Sequence, residues 1–400
     1  MKRIMLNLLG LLVVGSALHL QLPTAFAQGT GITLLTTFTN PTPAYDDHFG
    51  LSVAAVGGDR VLIGAPYDDA GATDAGVAYL FSINGALLIT FTNLTPEAYD
   101  LFGWSVAAGA DRVLIGACGD NGHAGGAYLF GTNGTLLGTF TNPKRTDAGF
   151  GYSLAAVGTD RVLIGTGDEY RAGAAYLFST QGTLLKTFAN PKPEDGDFFG
   201  SCVAAVGTDR VLFRVPADDK GTGTAYLFST GGKLLKTFRK PTPAFYDFFG
   251  SPVAAVGTDR VLIGASGDDT GASDAGAAYL FSINGTLLTT FTNPTPATGD
   301  RFGDSLAAVG SDRVLIGACH DDTGAADAGA TYLFGSNGAL LATFTNPAPA
   351  FHDYFGSPVA AVGTDFVLIG ASGDNTGATN AGAAYLFSLE PVLQKRIASP

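Results

Sequence analysis

Beyond residue 27 the apolar positions of the chain fall in short runs, set off by Gly, Asn, Asp and Pro. Four kinds of run recur in a fixed order. The first is small and apolar, as in Ser251 to Val256, and the second is apolar and β-branched enough to be buried on both faces, as in Arg260 to Ala265. The third mixes Ala with Tyr, Leu and Phe, as in Ala277 to Phe281. In the fourth, Thr286 to Phe291, Thr alternates with Leu and Phe, the pattern of a strand with one solvated face. Asn-Gly pairs such as Asn84-Gly85 and Asn284-Gly285 mark tight hairpins between the third and fourth runs, and Gly-Thr-Asp turns join the first to the second. No segment after residue 27 carries the period of an amphipathic helix, so only strands are expected there.

The unit of four strands repeats. Phe-Gly recurs at Phe49, Phe102, Phe150, Phe199, Phe249, Phe302 and Phe355, 48 to 53 residues apart. Such a period signals a propeller or an array of small units. One four-stranded sheet buries too little alone, whereas seven set radially cover both faces of each and leave only short outer edges. The predicted fold is therefore an all-β, seven-bladed β-propeller of four-stranded antiparallel blades, spanning residues 28–390. The Phe of each Phe-Gly pair is expected between neighbouring blades. Its Gly, and the Gly-Ala that ends each second strand (Gly64-Ala65), let backbones come close.

The chain begins out of phase with its repeats. Ile32 to Phe38 has the fourth-strand pattern and runs into the linker Asn40 to His48, of the kind that elsewhere leads from a fourth strand to the next Phe-Gly. It is expected as the outer strand of blade seven, whose first three strands come from Phe355 to Phe387. A competing fourth strand, Val392 to Ile397, lies in the C-terminal segment 391–400. Pro391, Gln394, Lys395 and Arg396 suit a strand poorly.

Composition adds three constraints. Lys2 and Arg3, an apolar run from Met5 to Leu18 and the Ala25-Phe26-Ala27 site read as a secretory signal over residues 1–27. The run is short for a membrane span and no later segment approaches one. A secreted protein, extracellular, at the cell surface or periplasmic, is expected, monomeric and not inserted in a membrane. The formal net charge of −13 becomes −15 once Lys2 and Arg3 are removed. That surface repels phosphate backbones and anionic lipid, which argues against nucleic acid and leaves an extracellular glycan or protein as partner. Cys118 and Cys319 occupy the slot held elsewhere by Pro66, Ser266 or Ser372, and Cys202 that of Pro252, so packing rather than a disulfide is expected.

The succession FGxSVAAVG, LIGAP and GAAYLF resembles the FG-GAP repeat of integrin alpha-subunit headpieces, and still more that of bacterial secreted FG-GAP proteins, over about residues 32 to 388. The resemblance implies a seven-bladed propeller used for adhesion or ligand binding. Integrin repeats often carry an Asp-rich calcium loop between strands one and two. Here that connection is only Val256 to Arg260, and one acid cannot supply the six to eight oxygens that calcium takes, so those sites are not carried over. The turn acids Asp160, Asp209 and Asp259 are expected to cap their turns.

Alternating strands send the two-to-three loops and the four-to-one linkers to one face and the hairpin turns to the other. The long-loop face is the binding candidate. Its two-to-three loops are longest in blades five, six, seven and one, neighbours in a closed ring. That arc carries Asp68, Asp69, Asp268, Asp269, His320, Asp321, Asp322 and Asp374, the candidate ligand-binding residues. The repeated Asp-Asp/Asn-x-Gly-Ala-x-Asp/Asn-Ala-Gly pattern admits a self-capping loop, direct ligand contact or weak calcium binding; no other cofactor is expected. A second acid precedes each Phe-Gly (Asp47, Asp100, Asp197, Asp247, Asp300, Asp353), with Ala148 breaking the series, and is read as structural. The linker aromatics Tyr45, Tyr99, Phe245, Tyr246 and Phe351 either cover blade junctions or stack on sugar rings. Trp104 is read as blade packing; Arg214, where other units have Gly, is read most simply as drift of the repeat, or as a charge near the loop face that pairs with Asp218 or Asp219. The mature chain's histidines, His48, His123, His320 and His352, form no close pair along the sequence, and no H-E-x-x-H or G-x-S-x-G motif occurs. A non-enzymatic binding or adhesion module is expected; a structural spacer and a carbohydrate-active enzyme using paired Asp residues are the alternatives.

Overall fold

The computed structural model describes residues 31–109, 111–144, 148–167, 173–194, 196–216 and 221–389. Its 28 strands, β1 to β28 in chain order, form seven four-stranded sheets. Blade one is representative, pairing β2 (Ser52–Val56), β3 (Arg60–Ala65), β4 (Val77–Ser82) and β5 (Leu87–Thr92) in that order, each antiparallel to the next. The two middle strands are buried along nearly their whole length because neighbouring blades cover both of their faces. In β5, Leu87 and Leu88 are exposed and Phe91 is buried. The outer pairing slips by one residue opposite Leu80 and Phe81, a bulge repeated in every blade. A bulged edge is a poor template for pairing with another chain.

Ring closure follows the expected route. β1 (Thr33–Thr39) lies beside β28 (Ala383–Ser388), with Phe38 opposite Ala384, and completes the sheet of β27 (Phe366–Ala371) and β26 (Val359–Val362). The outer position of blade seven is thus filled by the N-terminal strand. The competing segment Val392 to Ile397 and the signal segment 1–27 lie outside the described residues.

The core lies between blades rather than within them. Phe49 is fully buried, its ring 5.9 Å from that of Tyr79 and 6.1 Å from that of Phe81 in its own blade, in one cluster with Phe38, Leu368 and Leu386 of blade seven. A Cβ added to Gly64 would fall on the Gly103 carbonyl oxygen of the next blade, so the repeated glycine is a requirement of blade spacing. Seryl hydroxyls latch the same junctions: Ser52 Oγ donates to the Gly103 carbonyl at 2.7 Å, and Ser153 Oγ to that of Gly200 at 2.6 Å.

Three details depart from the sequence expectation. The first strands of blades four, five and seven begin at Val203, Val253 and Val359, one residue after Cys202, Pro252 and Pro358, and the two prolines have no amide hydrogen to give a ladder. The blade-two loop makes a tight turn over Asp120–His123, with Asn121 and Gly122 in the left-handed region, too short to produce a hydrophobic period. The hairpin-turn acids pair with the following arginine, as in Asp160 with Arg161 at 3.4 Å and Asp209 with Arg210 at 3.1 Å. Those arginines in turn donate to the neighbouring blade, Arg161 to the Thr208 carbonyl at 2.6 Å and Arg210 to that of Thr258 at 2.9 Å. These acids thus help to hold neighbouring blades rather than cap a turn alone.

Candidate functional site

On the long-loop face the linkers and two-to-three loops interlock. In blade one, Asp47 Oδ2 accepts from Asn40 Nδ2 at 2.7 Å and from the Ala44 amide at 2.6 Å, closing the linker on itself. The same pattern holds Asp100, Asp197, Asp300 and Asp353. The arc acids fall into two kinds. Asp68, Asp268, Asp321 and Asp374 are buried, and each accepts from the phenol of its blade's third strand: Tyr79 at 3.1 Å, Tyr279 at 2.6 Å, Tyr332 at 2.7 Å and Tyr385 at 2.5 Å. Their other oxygen accepts the amide two residues on, as Asp68 does from Ala70 at 3.0 Å. Asp69, Asp269 and Asp322 are exposed and accept the amide five residues on, from Asp74, Asp274 and Asp327. Each loop therefore caps itself; in blades one, five and six a second acid still faces solvent, and in blade seven Asn375 takes its place.

Burial of a carboxylate disfavours its charged form. It pushes Asp47, Asp300 and Asp353 up to about 6, with the neighbouring arc acid adding repulsion. Blade five solves the problem differently, with Lys240 where the other linkers have Asn. Its Nζ lies 2.8 Å from Asp247 Oδ1 and 2.7 Å from Asp268 Oδ2, both buried. Burial works to raise Asp268, but hydrogen bonds from Lys240, Thr270 and Tyr279 outweigh it and hold the carboxyl below its ordinary value.

A cavity of about 690 Å³ opens on this face across blades four, five and six. Tyr246, Phe248, Asp269, Arg214, Arg301 and Asp304 are among its lining residues. Of the eight sequence candidates only Asp269 lines it. Phe245 is 65% and Tyr246 67% exposed, and Tyr45, Tyr99 and Phe351 are exposed too, so these linker aromatics present rings to solvent. Arg214 was legible as an oddity in its repeat; that Arg301 and Asp304 share its cavity was not, because they lie two linkers away in sequence. Asp218 and Asp219, considered as its partners, lie outside the described residues.

Two further clusters are spatial rather than sequential. His320 Nδ1 lies 2.9 Å from Asp327 Oδ1, and His352 Nε2 lies 3.1 Å from Asp327 Oδ2. The close histidine pair missing along the sequence is thus formed through one carboxylate, tying the blade-six loop to the next linker. His352 also stacks between Phe351, with ring centroids 3.5 Å apart, and Tyr354. Trp104 packs between Tyr67 of blade one and Tyr152 of blade three, at 6.3 and 5.2 Å. Cys118 and Cys319 are buried and Cys202 half-buried, all unpaired, and burial pushes the Cys118 thiol up to about 12. Among the described residues no group of three or more His, Cys, Asp or Glu is arranged to hold a metal ion.

A closed ring of seven repeated sheets, with its interlocked loops gathered on one face, defines a repeat-built β-propeller. The FG-GAP repeat matches residues 37–81, 94–130, 243–281, 289–334 and 341–387, more than half of the chain, and the protein belongs to that family. The matched stretches fall in blades one, two, five, six and seven; blades three and four, which include Ala148 and Arg214, lie outside them. No curated protein sequence matches the chain. The FG-GAP propeller suggests a binding or adhesion-type module, and the family is typically non-enzymatic.

Proposed function

We propose that the protein is a secreted, non-enzymatic binding module whose long-loop face takes a glycan. The observation that carries this reading is the cavity across blades four to six, walled by the solvent-facing rings of Phe245, Tyr246 and Phe248. Aromatic faces stack on sugar rings, and nearby carboxylates and hydroxyls accept and donate to sugar hydroxyls. Asp269, Asp69 and Asp322 are the arc acids that reach solvent, and Asp269, which lines the cavity, is assigned ligand contact. Asp68, Asp268, Asp321 and Asp374 hold their loops in place, and His320 acts through Asp327. Recognition needs no metal in this reading.

A glycan array probed with the purified protein tests it. Binding to a defined set of glycans is expected, with at least a tenfold loss in the double variant Phe245→Ala, Tyr246→Ala. Both side chains are exposed, so the fold is expected to be unchanged. Binding that survives this variant, or no binding to any glycan, overturns the reading.

A further inference from the structure

The junction between blades four and five departs from all the others at one matched position. At the end of the second strand the repeat has Gly64, Gly116, Gly165, Gly264, Gly317 and Gly370, and only blade four has a side chain there, Arg214. At five of these glycines a Cβ would fall on a glycine carbonyl of the next blade, and at the sixth, Gly370, on that of Gly50 across the ring closure. The seryl latch is also missing from this junction, as it is where Pro252 and Pro358 hold the serine's slot; here Cys202 stands in it, its Sγ 4.0 Å from the Val253 carbonyl. The 690 Å³ cavity opens here.

The two arginines of this cavity are not paired as those elsewhere are, although Asp269, Asp274 and Asp304 share its lining. The six arginines that begin second strands, such as Arg60 and Arg313, each pair with the preceding aspartate. Arg214 and Arg301 make no ion pair with any described residue, although the protein carries a net charge of −13. The Nε of Arg214 is buried with no hydrogen-bond partner. An unsatisfied buried donor is costly, and native structures supply it with water or a ligand. A guanidinium stays charged and presents a planar fork that fits an oxyanion in bidentate fashion. Blade five lies between the two arginines and contributes Tyr246, Phe248 and Asp269.

We infer that this cavity receives a uronic-acid residue of an acidic glycan. The carboxylate sits at Arg214 with Arg301 beside it, the ring lies against Tyr246 and Phe248, and hydroxyls donate to Asp269 and Asp304. The acids in the wall select one carboxylate among hydroxyls over a dense polyanion. This inference rests on the proposed glycan-binding role and narrows it to a ligand class.

Titration calorimetry of the whole chain with galacturonic, glucuronic and mannuronic acid oligomers tests it, with their carboxyl-reduced neutral counterparts as controls. At least one acidic oligomer is expected to bind, with its neutral counterpart at least tenfold weaker. Arg214→Gly restores the residue of the other six blades, so it is expected to fold, and to erase the difference between the pair. Arg301→Gln is expected to reduce it several-fold. Equal binding of acidic and neutral oligomers, unaffected by Arg214→Gly, overturns the carboxylate assignment while leaving the glycan role intact. Binding of an acidic peptide that depends on Arg214, with no oligosaccharide bound, overturns the glycan class. Binding to none of these overturns the uronic-acid assignment, and the glycan array decides the glycan role separately.

Discussion

Lys240 occupies a buried site flanked by two carboxylates, and the other blades show what the fold does without it. Removing one partner of a buried pair leaves an uncompensated charge, at a cost of about 3–5 kcal/mol. Lys240→Ala is therefore expected to lose about that much stability in denaturant unfolding. Lys240→Asn, which supplies the amide found at Asn40 or Asn293, is expected to lose clearly less. Equal losses would mean that the amide does not substitute for the ammonium. The raised carboxyls of Asp47, Asp300 and Asp353 give a pH dependence of definite sign. Folded values of about 6 exceed the ordinary 3.8, so between these values the folded state holds more protons than the unfolded state. Their contribution is complete below about 3.8 and is lost as pH rises through about 6. The melting temperature is expected to rise from pH 7.5 to pH 5, and the rise to shrink in the triple variant Asp47→Asn, Asp300→Asn, Asp353→Asn. An unchanged rise in that variant would assign the effect to other groups. The repetition of these acids pointed to a structural role at sequence level. The partners of the arc acids could not be read there, because Tyr79 and Asn40 lie 11 and 28 residues from Asp68 in sequence.

At the scale of the element, strands two to four were legible to within a residue because their apolar patterns are short and repeat seven times. The first strands of blades five and seven were less so, since Pro252 and Pro358 enter a pattern that is otherwise uninterrupted. The N-terminal strand was readable from its linker: a fourth-strand pattern ahead of Asn40 has nowhere to pair except the last blade. β1 buries Phe38 and covers β28, so its loss opens the ring as well as a core cluster. Burial of one such Phe is worth about 3–5 kcal/mol. Deleting residues 28–39 is expected to cost at least that, whereas deleting residues 391–400 is expected to change the melting temperature little. Comparable losses from both deletions would show that the C-terminal segment shares in closure.

For the whole molecule, seven copies of one unit made the ring, its closure and its long-loop face predictable. The cavity was not predictable, because it arises where the repeat fails. Arg214 and Cys202 are single substitutions whose consequence depends on the neighbouring blade, and Arg301 arrives from a linker beyond it. The sequence arc placed the candidate residues in blades five, six, seven and one. The cavity shifts the proposed site toward blades four to six, with Asp269 common to both. Hydrogen–deuterium exchange of the protein with and without a saturating bound oligosaccharide tests that location most directly. Slowed exchange is expected in peptides covering residues 245–251, 266–274 and 301–304, with the hairpin-turn face unchanged. Slowed exchange centred on residues 57–60, 257–260 or 311–313 would place the ligand on the opposite face and contradict the proposed site.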